Sequence, residues 1–219
     1  RACATAAMRE ADNGPEVIRY IKQQSGIEIE IIDGKTEAQI IYSNHIEEHL
    51  DHDQSYLYID VGGGSTELTL FARNKVVASQ SFNIGTIRLL HDQVSKETWS
   101  YFKDWVKEKT IPYYPLTAIG SGGNINKLFK MADKKENKPL TLAKIQEVYS
   151  FLKEFSVEDR ITRLGLNPDR ADVIVPATKI FLTVMKTAVI DKILVPQIGL
   201  SDGIIHLLYE KNKRQTELF

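Results

Sequence analysis

The chain has 219 residues, 42% of them hydrophobic, which is enough for one large or two small domains with a substantial core. Its 28 Lys and Arg residues against 29 Asp and Glu residues argue against a general nucleic-acid binder, which would carry a clear positive charge. The single cysteine, Cys3, excludes an internal disulfide and a cysteine-based metal site and favours a reducing compartment. No apolar run approaches the roughly 20 residues of a membrane-spanning helix.

The N-terminal part of the chain predicts two strands and two helices. Residues 1–8 are small and apolar, as at the end of a strand, and Pro15 after Asn13-Gly14 opens a helix where no N–H donor is needed. Residues 27–32 alternate isoleucine with glutamate, which predicts a half-buried strand. A second helix is expected over residues 35–50, followed by a polar loop.

Three strands then follow one another closely, over residues 56–60, 65–72 and 75–82. The short turn at Asn74-Lys75 predicts that the last two pair, so that the three form an antiparallel meander. A helix begins near Ile87, and Ser95 is expected to cap the next one. Residues 116–119 predict a short buried strand that leads through a glycine-rich turn into a helix.

The C-terminal part of the chain is predicted to be mostly helical. Helices are expected over residues 141–155 and 156–164, and a long helix starts at Asn167-Pro168. Residues 192–195 predict a last short strand, and Ser201-Asp202-Gly203 is expected to precede and cap a closing helix.

Residues 60–67, Asp-Val-Gly-Gly-Gly-Ser-Thr-Glu, connect the first two strands of the meander. Consecutive glycines let backbone N–H groups approach an anion closely. The natural partner of Asp60 is a hard cation such as Mg²⁺, or a water held by one. Ser65, Thr66 and Glu67 follow within reach of the same pocket. The pattern therefore predicts a loop that binds phosphate and metal, and the alternative is a glycine-rich hairpin turn.

Residues 120–124, Gly-Ser-Gly-Gly-Asn, form a second glycine-rich loop where a strand leads into a helix. The N–H groups and the dipole at a helix N-terminus favour an anion. An ordinary strand–helix turn has the same composition, so this loop alone leaves both interpretations open. Its pairing with the first loop favours a ligand-binding role.

The order strand, Asp-x-Gly-Gly-Gly, strand resembles the second phosphate loop of the actin/hexokinase/Hsp70 superfamily. The longer string Asp-Val-Gly-Gly-Gly-Ser-Thr-Glu-Leu is similar to that of the exopolyphosphatase and guanosine pentaphosphate phosphohydrolase (Ppx/GppA) family. Residues 4–14, Gly85-Thr86 with Arg88, and residues 120–124 also resemble family segments, so the resemblance covers the whole chain. It implies an α/β, ribonuclease-H-like (actin-like ATPase) fold, in which a three-stranded antiparallel meander is continued by parallel strands with flanking helices.

The resemblance also implies how the chain divides into domains. Residues 1–30 correspond to the end of a first domain and the crossover from it, and residues 31–219 to a second domain with a helical insertion over residues 140–190. The superfamily's first phosphate loop, an Asp-x-Gly-Ser/Thr-Asn hairpin, does not precede Asp60. We therefore expect this chain to be a fragment that supplies one wall of an interdomain cleft and is nearly inactive alone.

The activity that the resemblance implies is hydrolysis of the terminal phosphoanhydride of polyphosphate, of guanosine pentaphosphate (pppGpp) or of both, with Mg²⁺. The enzyme would be bacterial and cytoplasmic and would bind neither membranes nor nucleic acid, and a homodimer is compatible with the family. Its catalytic glutamate maps to Glu37, the acid before Ala38, as general base; a solvated helix carboxylate is the alternative. Asp60, as metal ligand, and Glu67 would organise metal and water. The expected phosphate-binding residues are Gly62, Gly63, Gly64, Ser65, Thr66, Ser121, Gly122, Gly123 and Arg9.

Several assignments stay open at this point. A surface ion pair with Glu10 or Asp12 is an equal alternative for Arg9, and a ligand role for Arg88 is equally open. Arg170-Ala171-Asp172 also matches the family and is interpreted as an ion pair. Two other classes of protein use the same loops: an actin-like ATPase or sugar kinase that acts on ATP, and a non-catalytic nucleotide-sensing module.

Overall fold

A computed structural model describes residues 1–42, 51, 53–73, 75–132, 138–196 and 200–216 of the chain. The chain forms two compact units, one of Arg1–Leu50 with Ile198–Phe219 and the other of Asp51–Gln197. The predicted boundary between residues 30 and 31 concerns the domains of a longer protein, and it stays a prediction. None of the described helices has the length and the apolar content needed to cross a lipid bilayer.

The first unit begins with two short strands and two helices, β1 (Ala2–Ala4), α1 (Ala6–Glu10), α2 (Gly14–Ser25) and β2 (Ile29–Ile31). β1 and β2 pair in parallel. α2 has the predicted Pro15 in its first turn. It ends at Gly26, whose φ of +71° forms a left-handed cap and whose N–H donates to the Lys22 carbonyl at 2.8 Å. Residues 27 and 28 follow this cap directly and are not yet paired, so β2 starts at Ile29 and not at the predicted Ile27.

Helices α3 (Gly34–Tyr42) and α11 (Leu200–Thr216) pack against each other in the first unit. At their contact a Cβ on Gly203 would lie 2.4 Å from the carbonyl oxygen of Ile40, so only glycine allows this approach. Ser201-Asp202-Gly203 thus lies within the first turn of α11, and the prediction that it precedes the helix is wrong. The predicted helix over residues 35–50 is confirmed as far as Tyr42, and its remainder lies outside the described residues.

A six-stranded mixed sheet organises the second unit. Its strands in chain order are β3 (Ser55–Val61), β4 (Thr66–Ala72), β5 (Lys75–Phe82), β6 (Leu116–Ser121), β7 (Leu140–Thr141) and β8 (Lys192–Leu194). They are arranged β5-β4-β3-β6-β8-β7 across the sheet. β3, β4 and β5 form the predicted antiparallel meander, and β6 and β8 continue it in parallel. The sequence pattern does not predict β7, an antiparallel edge strand of two residues.

The helices of the second unit are α4 (Thr86–Leu90), α5 (Lys96–Thr110), α6 (Gly123–Met131), α7 (Leu142–Lys153), α8 (Val157–Thr162), α9 (Pro168–Ala171) and α10 (Ile174–Thr187), with a 3₁₀ turn at Ile111–Tyr113. Ser95 caps α5 as predicted, since its hydroxyl accepts from the Thr98 N–H at 3.2 Å. The long helix predicted from Asn167-Pro168 is instead two helices, α9 and α10. Pro176 explains the break, because it has no N–H and its ring clashes with the carbonyl four residues earlier.

One face of the sheet carries the core of this unit. Buried side chains of β3 and β4 pack there with apolar side chains of α5, α6, α7 and α10. Phe82 at the end of β5 makes edge-on contacts with Phe102 and Trp105, whose ring centroids are 4.8 and 5.4 Å away. The fully buried strand residues of this face include Leu57, Ile59, Leu68, Leu70, Ala118 and Ile193.

The two glycine-rich loops leave the sheet at the same edge. β3 and β6 run parallel, so their C-terminal ends lie side by side. Asp60 near the end of β3 is paired in register with Ser121 at the end of β6. The first loop follows β3 and the second follows β6, so the two loops lie side by side.

Candidate functional site

A row of polar side chains crosses four strands at this edge. Asp60 on β3 is directly opposite Glu67 on β4 and Ser121 on β6. Glu67 is in turn opposite Ser81 on β5. Directly paired residues of neighbouring strands point to the same face of a sheet. Asp60, Glu67 and Ser121, all three predicted site residues, are therefore neighbours on one face of the sheet.

Glu67 is held in place by two hydroxyl groups. Its Oε1 accepts a hydrogen bond from Ser65 Oγ at 2.7 Å and another from Ser81 Oγ at 3.0 Å, and the residue is 6% exposed. Hydrogen bonds to an ionised carboxylate are stronger than neutral ones, so this pair fixes the orientation of Glu67. Ser81 is absent from the predicted site because only the strand register brings it opposite Glu67.

The first glycine loop directs its carbonyl groups towards α4. The carbonyl oxygens of residues 62–64 accept, in order, from Thr86 N–H at 3.0 Å, Ile87 N–H at 2.9 Å and Arg88 Nε at 2.7 Å. Arg88, whose ligand role is open from the sequence, thus supports the loop on the side that faces α4. The helix N-terminus and one guanidinium group together hold three consecutive peptide groups in a defined orientation.

This orientation arranges the N–H groups of the loop. In a trans peptide the C=O and the following N–H point in opposite directions. The N–H groups of Gly63, Gly64 and Ser65 therefore point together away from α4. Within the described part of the chain no backbone carbonyl accepts a hydrogen bond from them. Successive N–H groups that point the same way form a site for an anion.

Gly85 permits the close contact between α4 and the first loop. A Cβ at this position would be 2.2 Å from the carbonyl oxygen of Gly63, a distance that no side chain can adopt. The loop glycines themselves have no left-handed backbone, since the described glycines with positive φ are Gly26, Gly122 and Gly165. Small size matters at Gly63, because a Cβ there would lie 3.2 Å from Ile87 Cγ1 on α4.

The second loop touches the first at Asp60. Gly122 has a φ of +96°, a conformation that residues with a Cβ rarely adopt. A Cβ on Gly122 would lie 3.1 Å from Asp60 Oδ1, so the backbone of the second loop faces the carboxylate of the first. The structure therefore brings Asp60, Ser121 and Gly122 together.

The guanidinium group of Arg170 lies at the N-terminus of α6. A Cβ on Gly123 would be 2.8 Å from Nη2 and 2.9 Å from Cζ of Arg170. A helix N-terminus already carries a positive partial charge, so a guanidinium group there is unfavourable unless an anion joins them. The ion pair predicted within Arg170-Ala171-Asp172 is found with Asp169 instead, 3.6 Å from Arg170 Nε. Arg170 thus lies beside the second loop, and the sequence analysis left it out of the candidate site although its match to the family was a signal.

Arg160 fixes the short helix that carries Arg170. Its side chain is 8% exposed and donates from Nε to the Leu152 carbonyl and from Nη1 to the Ala171 carbonyl, each at 3.0 Å. Burial lowers the pKa of Arg160, but an arginine remains charged in proteins. Arg160 is therefore a positioning residue: it holds the end of α9 against the end of α7.

Asn124 has an unsatisfied polar atom in the first turn of α6. The residue is 5% exposed, and none of the described residues donates a hydrogen bond to its Oδ1. A buried acceptor without a donor costs about 1–3 kcal/mol. A water or a ligand hydroxyl bound at the second loop would supply the missing donor.

Glu37 belongs to the first unit, in the first turn of α3. Asp33 caps this helix: its Oδ1 accepts from the Thr36 N–H at 2.7 Å, and its carbonyl accepts from the Glu37 N–H at 2.9 Å. Hydrogen bonds from the Thr36 side chain and N–H lower the pKa of Asp33. The cap fixes the backbone at Glu37, whose role as general base stays a prediction.

Arg9 also belongs to the first unit. Its Nη1 donates to the Ile32 carbonyl at 2.9 Å, which ties α1 to the end of β2. This contact is neither of the two that the sequence left open, a phosphate or a carboxylate of Glu10 or Asp12.

The chain is similar in sequence to known proteins. The model of the Ppx/GppA phosphatase family matches residues 1–212. The chain is 29% identical over 205 residues to a bifunctional 3-dehydroquinate synthase/phosphatase of Fusobacterium nucleatum, covering 83% of this chain and 30% of that protein. It is 25% identical over 225 residues to a guanosine-5'-triphosphate,3'-diphosphate pyrophosphatase of Aeromonas salmonicida, covering 97% of this chain and 45% of that protein.

Solved structures share the fold. An exopolyphosphatase from Cytophaga hutchinsonii superposes with a TM-score of 0.77 at 25% identity, covering 96% of this chain and 74% of that one. The predicted fold class is confirmed: the chain contains an α/β actin-like ATPase domain with a mixed six-stranded sheet and flanking helices. The chain spans 30% and 45% of the lengths of the two curated relatives.

Proposed function

This chain belongs to the Ppx/GppA phosphatase family, and we propose that the complete protein hydrolyses the terminal phosphoanhydride of polyphosphate, of pppGpp or of both. The observation that carries this proposal is the close approach of Asp60 to Gly122, which brings the carboxylate of one glycine loop beside the backbone of the other. Two such loops around one carboxylate suit a phosphate that is bound together with a cation. The pyrophosphatase and exopolyphosphatase names of the relatives support the substrate class.

The terminal phosphate would be bound by the backbone of both loops. The aligned N–H groups of Gly63, Gly64 and Ser65 would donate to its oxygens on one side. The N-terminus of α6 and the Arg170 guanidinium would do so on the other, which explains why two positive features meet at Gly123. Phosphoryl transfer requires mainly positioning and charge neutralisation, and this arrangement supplies both.

The residues at the sheet edge fit a bound Mg²⁺. Asp60 is partly exposed, with Glu67 and the Ser121 hydroxyl as neighbouring oxygen donors. Among the residues that the structure describes, no cluster of three or more His, Cys, Asp or Glu side chains could hold a metal. Mg²⁺ commonly binds through one or two carboxylates and otherwise through water and substrate phosphate, so Asp60 with help from Glu67 suffices. When bound, the ion would offset the negative charge of the phosphates.

Glu37 would act as general base in this proposal. Its carboxylate would take a proton from the water that attacks the terminal phosphorus, while the bond from that phosphorus to the bridging oxygen breaks and the shortened chain leaves. Glu37 lies in the first turn of α3, where the Asp33 cap fixes the backbone from which its side chain extends. A base in this role needs no contact with the metal.

Phosphate release by the complete protein from polyphosphate, pppGpp and ATP, with and without Mg²⁺, tests the proposal. We expect Mg²⁺-dependent release from polyphosphate or pppGpp, and its loss in Asp60→Asn. Asp53→Asn is the matched control, because Asp53 is exposed and precedes the opposite end of β3. Release from ATP alone would favour an ATPase or kinase, and binding of pppGpp without turnover would favour a sensing module.

A further inference from the structure

We propose that Ser81, on the edge strand β5, is a positioning residue that sets the affinity of the site for its cation by holding Glu67. Its hydroxyl group would keep Glu67 in the orientation in which the other carboxylate oxygen, Oε2, accepts from a water bound to a cation at Asp60. The inference rests on the proposed function for the cation. It deepens that proposal, because it gives a role to a residue that lies outside both glycine loops.

Glu67 is a buried carboxylate whose hydrogen bonds cross the sheet. The residue is 6% exposed, and its Oε1 accepts from Ser81 Oγ at 3.0 Å and from Ser65 Oγ at 2.7 Å. A buried charge is costly unless other groups compensate it. Asp60 is directly opposite on β3, and like charges opposite each other on neighbouring strands repel. The two hydroxyl donors therefore hold Glu67 in place against this repulsion.

Ser81 holds Glu67 from the side that faces away from Asp60. The strand order β5-β4-β3 places Ser81 and Asp60 on opposite sides of Glu67. The hydrogen bond from Ser81 thus draws Oε1 towards β5. Oε2 has two lone pairs of its own for a water bound to a cation at Asp60. Mg²⁺ usually keeps several of its waters, so a carboxylate that reaches the ion through water suits it.

The distance between the strands lets Ser81 act on the cation only through Glu67. Neighbouring strands lie about 4.8 Å apart, so β3 and β5 are separated by about 10 Å. A direct Mg²⁺ ligand must come within about 2.1 Å of the ion, which Ser81 cannot do for an ion bound to Asp60. Ser65 holds the same oxygen of Glu67, but its N–H belongs to the proposed phosphate site. Substitution of Ser81 therefore isolates the effect on Glu67.

The next pair of residues along β4 and β5 provides a matched control. Thr69 is opposite Ser79, and their hydroxyl groups are 2.9 Å apart. Ser79 lies two residues before Ser81, so it points to the same face of the sheet, and it also joins β5 to β4 through one side-chain hydrogen bond. Its partner is a neutral, fully buried threonine. Loss of either serine hydroxyl should lower the melting temperature by a similar amount, whereas only Ser81 should affect the cation.

Binding of Mn²⁺, which takes the same oxygen ligands as Mg²⁺, tests the proposal without any need for turnover. The electron paramagnetic resonance signal of free Mn²⁺ gives the dissociation constant of the complete protein. We expect Ser81→Val to raise this constant about tenfold. Ser81→Thr, which has the same shape but keeps a hydroxyl group, should leave it unchanged, as should Ser79→Val. Ser81 is exposed, so both larger side chains fit.

A double-mutant cycle tests whether Ser81 acts through Glu67. Glu67→Gln should itself weaken Mn²⁺ binding, and Ser81→Val in that background should weaken it no further. Phosphate release by the complete protein adds a second measurement. In Ser81→Val the Mg²⁺ concentration for half-maximal rate should rise about tenfold, while KM for the substrate and kcat at saturating Mg²⁺ stay close to their original values.

Four results would overturn the proposal. They are unchanged Mn²⁺ affinity in Ser81→Val, an equal loss in Ser79→Val, a further loss from Ser81→Val in the Glu67→Gln background, and no Mn²⁺ binding by the unsubstituted protein. If the complete protein hydrolyses no phosphoanhydride but Mn²⁺ binding responds as expected, the proposed function fails and the role of Ser81 stands. Hydrolysis together with unchanged Mn²⁺ binding in Ser81→Val has the opposite meaning.

Discussion

The carboxylate of Asp60 faces the backbone of Gly122, where a Cβ would be 3.1 Å from Asp60 Oδ1. Gly122 also has a φ of +96°. The same glycine therefore meets two requirements, a backbone conformation open only to glycine and room for a carboxylate. The two requirements can be separated by comparison with Gly165, which has a φ of +63° and no atom within 4 Å of the place of its Cβ.

Gly122→Ala and Gly165→Ala should differ in activity more than in stability. Both variants place a Cβ on a left-handed backbone, which costs about 1–3 kcal/mol, so both should lower the denaturant midpoint. Only Gly122→Ala disturbs Asp60, and we expect phosphate release by the complete protein to fall at least about tenfold in this variant alone. Chemical denaturation and phosphate-release assays measure the two effects. An equal loss of activity in Gly165→Ala would contradict the role given to the Asp60 contact.

Glu37→Gln and Asp60→Asn should both abolish turnover in the complete protein, for different reasons. Glu37→Gln keeps the shape of the side chain and removes the base, which should lower kcat by about 10²–10⁴ while substrate binding persists. Asp60→Asn should weaken the organisation of Mg²⁺, so a higher Mg²⁺ concentration should partly restore its activity. The measurement is kcat against Mg²⁺ concentration, with binding measured separately.

Other outcomes of these two substitutions reassign the roles. Wild-type kcat in Glu37→Gln would make Glu67 the candidate base, since Glu67 is the other predicted catalytic glutamate. If neither substitution affects turnover, the first loop is a hairpin turn and the phosphatase proposal fails with it.

Arg170→Gln should weaken substrate binding without loss of stability. Its guanidinium group lies at the positive end of α6, so removal relieves an unfavourable interaction in the free protein and removes a donor from the bound phosphate. We expect KM for polyphosphate or pppGpp to rise about tenfold, with a smaller dependence on salt, and the melting temperature to stay equal or rise. Arg163→Gln is the control, because Arg163 is an exposed arginine 3.6 Å from Asp159. A lower melting temperature with unchanged KM would assign Arg170 to the fold alone.

Val189→Gly should stabilise the protein. Val189 follows the end of α10 with a φ of +51° and a side chain that is 71% exposed. The Ile190 N–H donates to the Met185 carbonyl at 2.8 Å, which is the helix ending that glycine usually forms. Relief of the left-handed strain is worth about 1 kcal/mol, or about 2–4 °C in the melting temperature of a domain of this size. Val189→Ala is the control, since alanine keeps the Cβ; an equal gain there would show that strain is not the cause.

Local patterns in the sequence predict most of the elements. The meander over residues 56–82 follows from three apolar runs separated by short turns, and the start of α5 follows from Ser95, whose cap involves only its own neighbours. Pro176 causes the break before α10, which is also a local effect, although the sequence analysis predicted one continuous helix there. The resemblance to a family added the role of Glu37, which no periodicity contains, whereas an acid before three glycines already indicated a cation site at Asp60.

The neighbours of each site residue were decided by the tertiary structure alone. Asp60 lies between Glu67 and Ser121 because β3 pairs antiparallel with β4 and parallel with β6. A register one residue away would turn those side chains to opposite faces. Arg170 reaches Gly123 because the buried Arg160 fixes the helix that carries it. The contacts of Asp60 with Ser121 and of Arg170 with Gly123 join residues far apart in the chain and depend on packing of the whole unit. A pattern read along the sequence describes only near neighbours.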